Sequence, residues 1–349
     1  MQNKKNLFID AMSEALVQSM KKDKDVIIMG EGVTDVKGIF NTTSLALKKF
    51  GTKRVIETPV SENALTGIQL GMSLLGKKPI LMHARVDFSL LGFDQLINNA
   101  AKWKFMFGGQ QKSPIIIRLI VGRGWGQGPT HSQNFQNMLA NVPGLKIFIP
   151  SLPSTMRDIL NSSINSSDPV LIIEHRWLHN IKEKIDLKLK REIKGATKKV
   201  SGKQLTIISS SYSTIEIMKL YKVLKQNKIS FDHIDLNILR PLNDNIIFNS
   251  VKKTGKLLIL DNSVHKTCSF GGHLISELIS KKSNIFKSEP INLTLPDIPS
   301  PSSFYLTKDF YNSEKKILKS ISKLVRKKIN YNPDIKIHDI PDPSFRGPF

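Results

Sequence analysis

RVIETPVSENALTGIQLGMSLLG, residues Arg54 to Gly76, is the stretch whose reading decides the fold class. Pro59 ends an extended piece. Ser61 is a good N-cap, Glu62 falls in the first helical turn, and helical periodicity then runs from Ala64 to Leu75. A strand feeding a helix in this way is one unit of an α/β alternation, and the same alternation extends in both directions.

Toward the amino end, Leu7 to Met20 reads as an amphipathic helix and Val26 to Met29 as a buried strand. Toward the carboxyl end, Ile80 to Met82, Ile115 to Ile120, Lys146 to Ile149 and Val170 to Ile173 read as strands. Helices over Phe93 to Phe107, Phe135 to Leu139 and Thr155 to Ile164 separate them. This predicts a doubly wound domain over residues 1–178. Residues 179–203 lose the pattern in a lysine-rich stretch that suits a surface linker. A second alternation over 204–329 predicts another α/β domain. Its strands are Leu205 to Ser209, Phe231 to Ile234, Leu257 to Leu260 and Ile291 to Leu293. Its helices lie near Ile215 to Leu224, Ile246 to Val251, His273 to Ser280 and, past the proline-punctuated Pro296 to Phe304, Ser313 to Lys328. Residues 330–349 read as an irregular, proline-bearing tail.

The formal net charge of +23 over 349 residues raises the question of nucleic acid. Lysine pairs such as Lys21-Lys22, Lys48-Lys49, Lys252-Lys253 and Lys327-Lys328 are dispersed near helix ends, where a cation suits the helix dipole and water. The charge therefore reads as solvated surface, with no nucleic-acid partner expected. PIIIRLIV, the longest apolar run, is broken by Arg118 and is far shorter than the roughly 18 residues of a membrane span. The first twelve residues lack the apolar core of a signal peptide. A single cysteine, Cys268, excludes an internal disulfide and suits a cytoplasmic home.

Two segments carry candidate chemistry. Glu62 at a helix start is satisfied by the helix dipole alone, worth about 0.3 to 1 kcal/mol, or it is a working carboxylate. Gly67 and Gly71 share one helix face and permit either close packing within the domain or a tight subunit contact. GRGWGQGPTHSQ, Gly122 to Gln133, sets four glycines around Trp125 and presents His131 just before a helix, an arrangement that suits an anionic ligand. It is neither a dinucleotide fingerprint nor a phosphate loop.

Read together, TPVSENALTGIQLGMSLLGKKPI, DFSLLGFDQLINNAAKWKFMFGGQ, HSQNFQNMLANVPGLKIFIPSLP and DPVLIIEH resemble, in order and spacing, the beta subunits of pyruvate and branched-chain 2-oxo-acid dehydrogenases. IDLNILRPLN, VKKTGKLLIL and SFGGHL extend the resemblance through the second half to about Lys328. It implies a transketolase-like pyrimidine-binding domain followed by a transketolase C-terminal-like domain.

It also implies roles. Glu62 matches the glutamate that hydrogen-bonds the aminopyrimidine of thiamin diphosphate, where a carboxyl kept out of water can share a proton and help activate the thiazolium carbon. Phe88 matches the aromatic residue stacked on that ring, and His131 the histidine facing the substrate. Glu31 and Asp94 match acidic residues that, with Glu62, line a polar passage between paired active sites. The magnesium-binding G-D-G segment of thiamin enzymes occurs nowhere in the chain, so the diphosphate and Mg2+ fall to an alpha subunit. An alpha2beta2 heterotetramer passing its acyl group to a lipoyl acyltransferase follows.

The chain departs from the pattern in places. Met82 stands where an acidic residue is usual, and His83 and Arg85 add basic character. If the chain stays extended there, His83, Arg85 and Asp87 share a face. Arg85 then either binds a polar group of the substrate or is a surface ion partner of Asp87. Residues 164–170 resemble a loop that holds potassium in some relatives, with Ile115, Ser163, Ser166 and Asp168 as its ligands, but Ser166 replaces a common aspartate. The tail 330–349 passes the usual end of the family. The same half-site would also serve an acetoin-cleaving or transketolase-like split enzyme, and a basic scaffold protein is the non-enzymatic alternative.

Overall fold

The computed structural model describes residues 5–123, 127–189, 191–266 and 268–331. Trp125 with its flanking Gly124 and Gly126, and the tail 332–349, lie outside the described residues.

The strands are β1 (Asn6–Leu7), β2 (Val26–Gly30), β3 (Val55–Glu57), β4 (Lys78–His83), β5 (Ile116–Val121), β6 (Lys146–Phe148), β7 (Val170–His175), β8 (Lys182–Glu183), β9 (Thr197–Val200), β10 (Leu205–Ser209), β11 (Phe231–Asp235), β12 (Ile238–Arg240), β13 (Leu257–His265) and β14 (Ile291–Leu295). The first-half helices are α1 (Phe8–Lys22), α2 (Ser44–Phe50), α3 (Glu62–Leu74), α4 (Ala101–Met106), α5 (Gln136–Ala140) and α6 (Pro153–Ile164). Those of the second half are α7 (Tyr212–Lys219), α8 (Tyr221–Gln226), α9 (Asn245–Thr254), α10 (Phe270–Lys281), α11 (Phe304–Phe310) and α12 (Glu314–Val325).

Seven strands form one sheet in the order β12-β6-β7-β5-β4-β2-β3, parallel except for β12 at the edge. Five form the second, β14-β13-β10-β11-β9, parallel except for β9. The fold class is therefore α/β with two wound sheets, as the alternation predicted. In the first sheet every residue of β5 and β7 is buried, which is why these strands read as mostly apolar runs, with Arg118 in one and Glu174 and His175 in the other. Gln69, buried on α3, donates to Pro79 O at 3.0 Å and Ile116 O at 2.7 Å, so the helix is pinned to the ends of two strands. That pin fixes where Glu62, two turns earlier, meets the sheet.

Several details differ from the sequence reading. The stretch expected to be a surface linker contains β8, paired with β1, and β9, the antiparallel edge of the second sheet. Their lysines hide the alternation, because long stems cover apolar surface while the charge stays in water. The expected helix over Phe93 to Phe107 is a π-helical turn at Asp94–Ala100 followed by α4. The expected helix near Ile215 to Leu224 is two helices meeting at Leu220. Helix α11, just past the proline-punctuated segment, was not anticipated. Strand β12 leaves the second half to pair with β6, so the first sheet is completed by residues far along the chain. One apolar core accordingly includes Leu81, Ile117 and Leu171 together with Ile234 and Ile259.

Candidate active site

The carboxyl ends of β2, β3 and β4 and the start of α3 surround a cavity of about 440 Å3. Ligands in open parallel sheets bind at this end of the strands. Gly30 closes β2 where a Cβ would stand 2.5 Å from Met82 O, so only glycine lets the two strand ends approach. Gly32, at φ 73°, turns the chain so that its amide, with the Thr34 amide and hydroxyl, donates to the Glu57 carboxylate. Burial pushes the Glu57 carboxyl up, but these hydrogen bonds outweigh it and hold it below its ordinary value. Glu57 thus anchors the cavity wall. The sequence reading passed over it, although two glutamates bracketing a T-P-V-S turn were the available signal.

Glu62 is 7% exposed and lines the cavity, and among the described residues nothing hydrogen-bonds to its carboxylate. Its side chain borders the cavity, where a group from outside the chain can reach it. Ser61 occupies the cap position without a capping hydrogen bond, a correction to the expected cap. Its backbone, φ −164° and ψ 65°, departs from the extended geometry that aims a hydroxyl at the first amides.

Phe88 and Glu31 line the same cavity. His131 stands beside it, its ring 5.7 Å from that of Phe88 at 80°, with Nδ1 2.6 Å from Thr130 O. Asp94 does not line this cavity. It is exposed at the start of the π-helical turn, accepting from Asn98 at 2.7 Å and Gln95 at 3.1 Å. The structure therefore brings Glu62, Phe88, Glu31 and His131 together and leaves Asp94 outside.

The shared face of His83, Arg85 and Asp87 does not form. Strand β4 ends at His83, the chain bends, and Val86–Gly92 is a 3-10 helix. His83 lines the cavity, and burial lowers its pKa to about 4, so it adds no positive charge at neutral pH. Arg85 is buried, not a surface residue, and donates through Nε to Gln127 Oε1 at 2.9 Å. Asp87 accepts from Gln133 at 2.8 Å, and burial pushes its carboxyl up.

Below the cavity, Arg118 of β5 pairs with Glu174 of β7 at 2.5 Å and donates to Thr42 at 2.8 Å, and His179 Nε2 lies 2.6 Å from Glu174. Burial pushes Glu174 up, but the Arg118 charge and the His179 contact outweigh it and hold it at about 2. This network was not read from the sequence, although an arginine inside a central apolar strand demands a buried counter-charge.

Two domain families match the chain: transketolase, pyrimidine binding domain, over residues 5–181, and transketolase, C-terminal domain, over residues 194–317. The chain is 32% identical over 296 residues to pyruvate dehydrogenase E1 component subunit beta-4, chloroplastic, of Oryza sativa subsp. japonica, covering 84% of this chain and 74% of that relative. The chain belongs to the pyruvate dehydrogenase E1 beta-subunit family. A second member, from Rickettsia felis, is 29% identical and covers 90% of this chain and 97% of its own. A solved structure described as a split gene transketolase, inactive beta4 tetramer, superposes with a TM-score of 0.74 at 18% identity, covering 91% of this chain and 98% of that one, and shows a shared fold.

The residues of the expected potassium loop are engaged within the chain. Ile115 O accepts from Val170 N at 2.9 Å and Ser163 O from Ser166 N at 3.0 Å. Asp168 O accepts from the Ser166 hydroxyl at 3.0 Å. The Asp168 carboxylate pairs with Lys104 at 2.8 Å and Lys146 at 3.1 Å. Lys146 also donates to Ser166 at 3.1 Å, so ammonium groups already supply the positive charge of this loop. A larger cavity of about 920 Å3 between α5 and α10 reaches Asp168 but includes none of the residues around Glu62. Among the described residues, no cluster of His, Cys, Asp and Glu could hold a metal, and no helix is long and apolar enough to cross a membrane.

Proposed function

We propose that this chain is the beta subunit of a 2-oxo-acid dehydrogenase E1 component, acting on a pyruvate-like substrate. The observation that carries the reading is the buried, unpartnered Glu62 carboxylate in a cavity shared with Phe88 and flanked by His131. These residues fit the aminopyrimidine half of thiamin diphosphate: a carboxylate to bond a ring nitrogen and an aromatic face beside it. When bound, that cofactor supplies the nucleophilic carbon and the electron sink for decarboxylation. Glu62 holds a proton at the ring nitrogen, Phe88 orients the ring, and His131, its Nδ1 against Thr130 O, serves the substrate side. Glu31 at the cavity mouth and Asp94 outside it belong, on this reading, to the approach between paired sites.

The diphosphate and Mg2+ belong to an alpha subunit, in an alpha2beta2 heterotetramer that acetylates a lipoyl acyltransferase in the cytoplasm. Supporting a partner, α3 presents Ile68 to solvent, and Val60 before it and Leu75 at its end are exposed as well. Gly71 on the same helix has no atom within 4 Å of where a Cβ would be, whereas Gly67 packs against Gln95 within the chain. We assign residues 1–178 and 204–329 to the two domains, with 179–203 between them. No potassium dependence is proposed.

The test is decarboxylation of pyruvate with thiamin diphosphate and magnesium, with and without a co-expressed alpha chain bearing a G-D-G segment. Activity is expected only with the partner and a lipoyl acceptor. Full turnover by the isolated chain refutes the shared site, and turnover with the partner but no lipoyl dependence favours acetoin-type or ketol-transfer chemistry.

A further inference from the structure

The loop carrying His131 is tied at two points to the segment carrying Phe88. Arg85 Nε donates to Gln127 Oε1 at 2.9 Å, and Gln133 Nε2 donates to Asp87 Oδ1 at 2.8 Å. His131 lies between the two glutamines, and the two anchors flank Val86 just before Phe88. Both anchors are buried, and Arg85 is itself braced on Ala84 O at 2.8 Å. The far side of the loop meets the second half of the chain: Ser300 donates to Ser132 O at 3.3 Å, and Gly128, at φ 70°, passes so close to Ser302 that a Cβ would collide with its hydroxyl. Gln127 and Gln133 do not line the Glu62 cavity, and neither tie includes Glu62.

One hydrogen bond would let the loop pivot, whereas two on either side of His131 fix both its distance and its rotation. We infer that Arg85–Gln127 and Asp87–Gln133 form a paired clamp that sets His131 against Phe88. Arg85, Asp87, Gln127 and Gln133 are thus positioning residues for the step His131 serves. The inference rests on the role given to His131 above. It also replaces both alternatives the sequence left open for Arg85, substrate selection and a surface ion pair, because the buried guanidinium bonds the loop.

The experiment uses the enzyme assembled with its alpha partner and reads kcat and KM for pyruvate, deuterium exchange at the thiazolium carbon, and the NMR shift of the His131 ring protons, which the nearby Phe88 ring displaces. Asp87→Leu and Gln133→Leu are each expected to lower kcat by up to ~10²-fold, the scale of a small misplacement of a reacting group. Exchange, which depends on the Glu62 side, should stay within about twofold. Asp87→Asn keeps an acceptor for Gln133 and should recover most of the loss. The double Leu variant should be no slower than the worse single, as for two ends of one contact. Additive losses, an Asp87→Asn variant as slow as Asp87→Leu, or exchange falling in step with kcat would overturn the clamp. If Asp87→Leu fails to assemble, Gln127→Leu and Gln133→Leu, at less buried positions, carry the same test. Should the wild type decarboxylate nothing, the functional reading fails separately. The His131 shift then decides the clamp, lost in Gln133→Leu if it exists and unchanged if it does not.

Discussion

Glu62 and Asp168 are both carboxylates at the borders of the first sheet, and their surroundings are opposite. Asp168, partly exposed, has two lysine ammoniums and a loop whose oxygens are already bonded. Glu62, nearly inaccessible, has no hydrogen-bonding partner among the described residues and a cavity in front of it. Glu174 is the third case, wholly buried and fully paired. The difference teaches that burial alone does not mark a working carboxylate. What distinguishes Glu62 is the cavity in front of it, through which a group from outside the chain can approach.

Removing a partner from the saturated pair should therefore have the largest effect. Arg118→Met strands Glu174 in the core and is expected to cost about 3 to 5 kcal/mol of stability, measured by chemical denaturation. A loss under about 1 kcal/mol would show that the pair is dispensable. Glu62→Ala should do the reverse, leaving stability unchanged or slightly raised while the assembled enzyme loses ~10²- to 10³-fold in kcat, the scale of one preorganised hydrogen-bonding group. Exchange at the thiazolium carbon checks it directly, and an undiminished rate returns Glu62 to a helix-dipole role.

The histidines sharpen the comparison through pH. His83 and His179 have pKa values lowered by burial to about 4, so their folded forms are neutral. Their contribution is present above about pH 6.5 and is lost as pH falls toward 4, where the unfolded chain binds protons that the folded chain refuses. Glu174, held at about 2, adds a loss below about pH 4.5. Denaturation midpoints should thus fall between pH 6.5 and 4, and His83→Gln should flatten that slope. An identical slope in the variant would remove His83 from the account.

The smallest effect belongs to the lysine-filled loop. Exchanging potassium for choline at constant ionic strength should leave the melting temperature unchanged. Lys146→Met should cost no more than about 1 kcal/mol, because the pair is partly exposed. A clear potassium-dependent rise in the wild type would restore an ion to this loop.

What the sequence by itself determined were the properties that repeat locally. Buried parallel strands are predominantly apolar along their length and helices apolar on one face, so β5, β7 and α3 were legible within a residue or two. Several ordered motifs carried the family, and with it Glu62, Phe88 and His131. The tertiary structure alone decided how residues distant in the chain satisfy one another. Arg118 reads only as a flaw in a strand until Glu174, 56 positions away, is brought beside it. Arg85 reads as a basic residue near a cofactor until the bend after His83 turns it toward Gln127, and Ser166 reads as a weakened ion ligand until Lys146 is brought within hydrogen-bonding distance of it. Periodicity is set by neighbours along the chain, whereas whether a polar group is paired or left open depends on contacts that only folding creates.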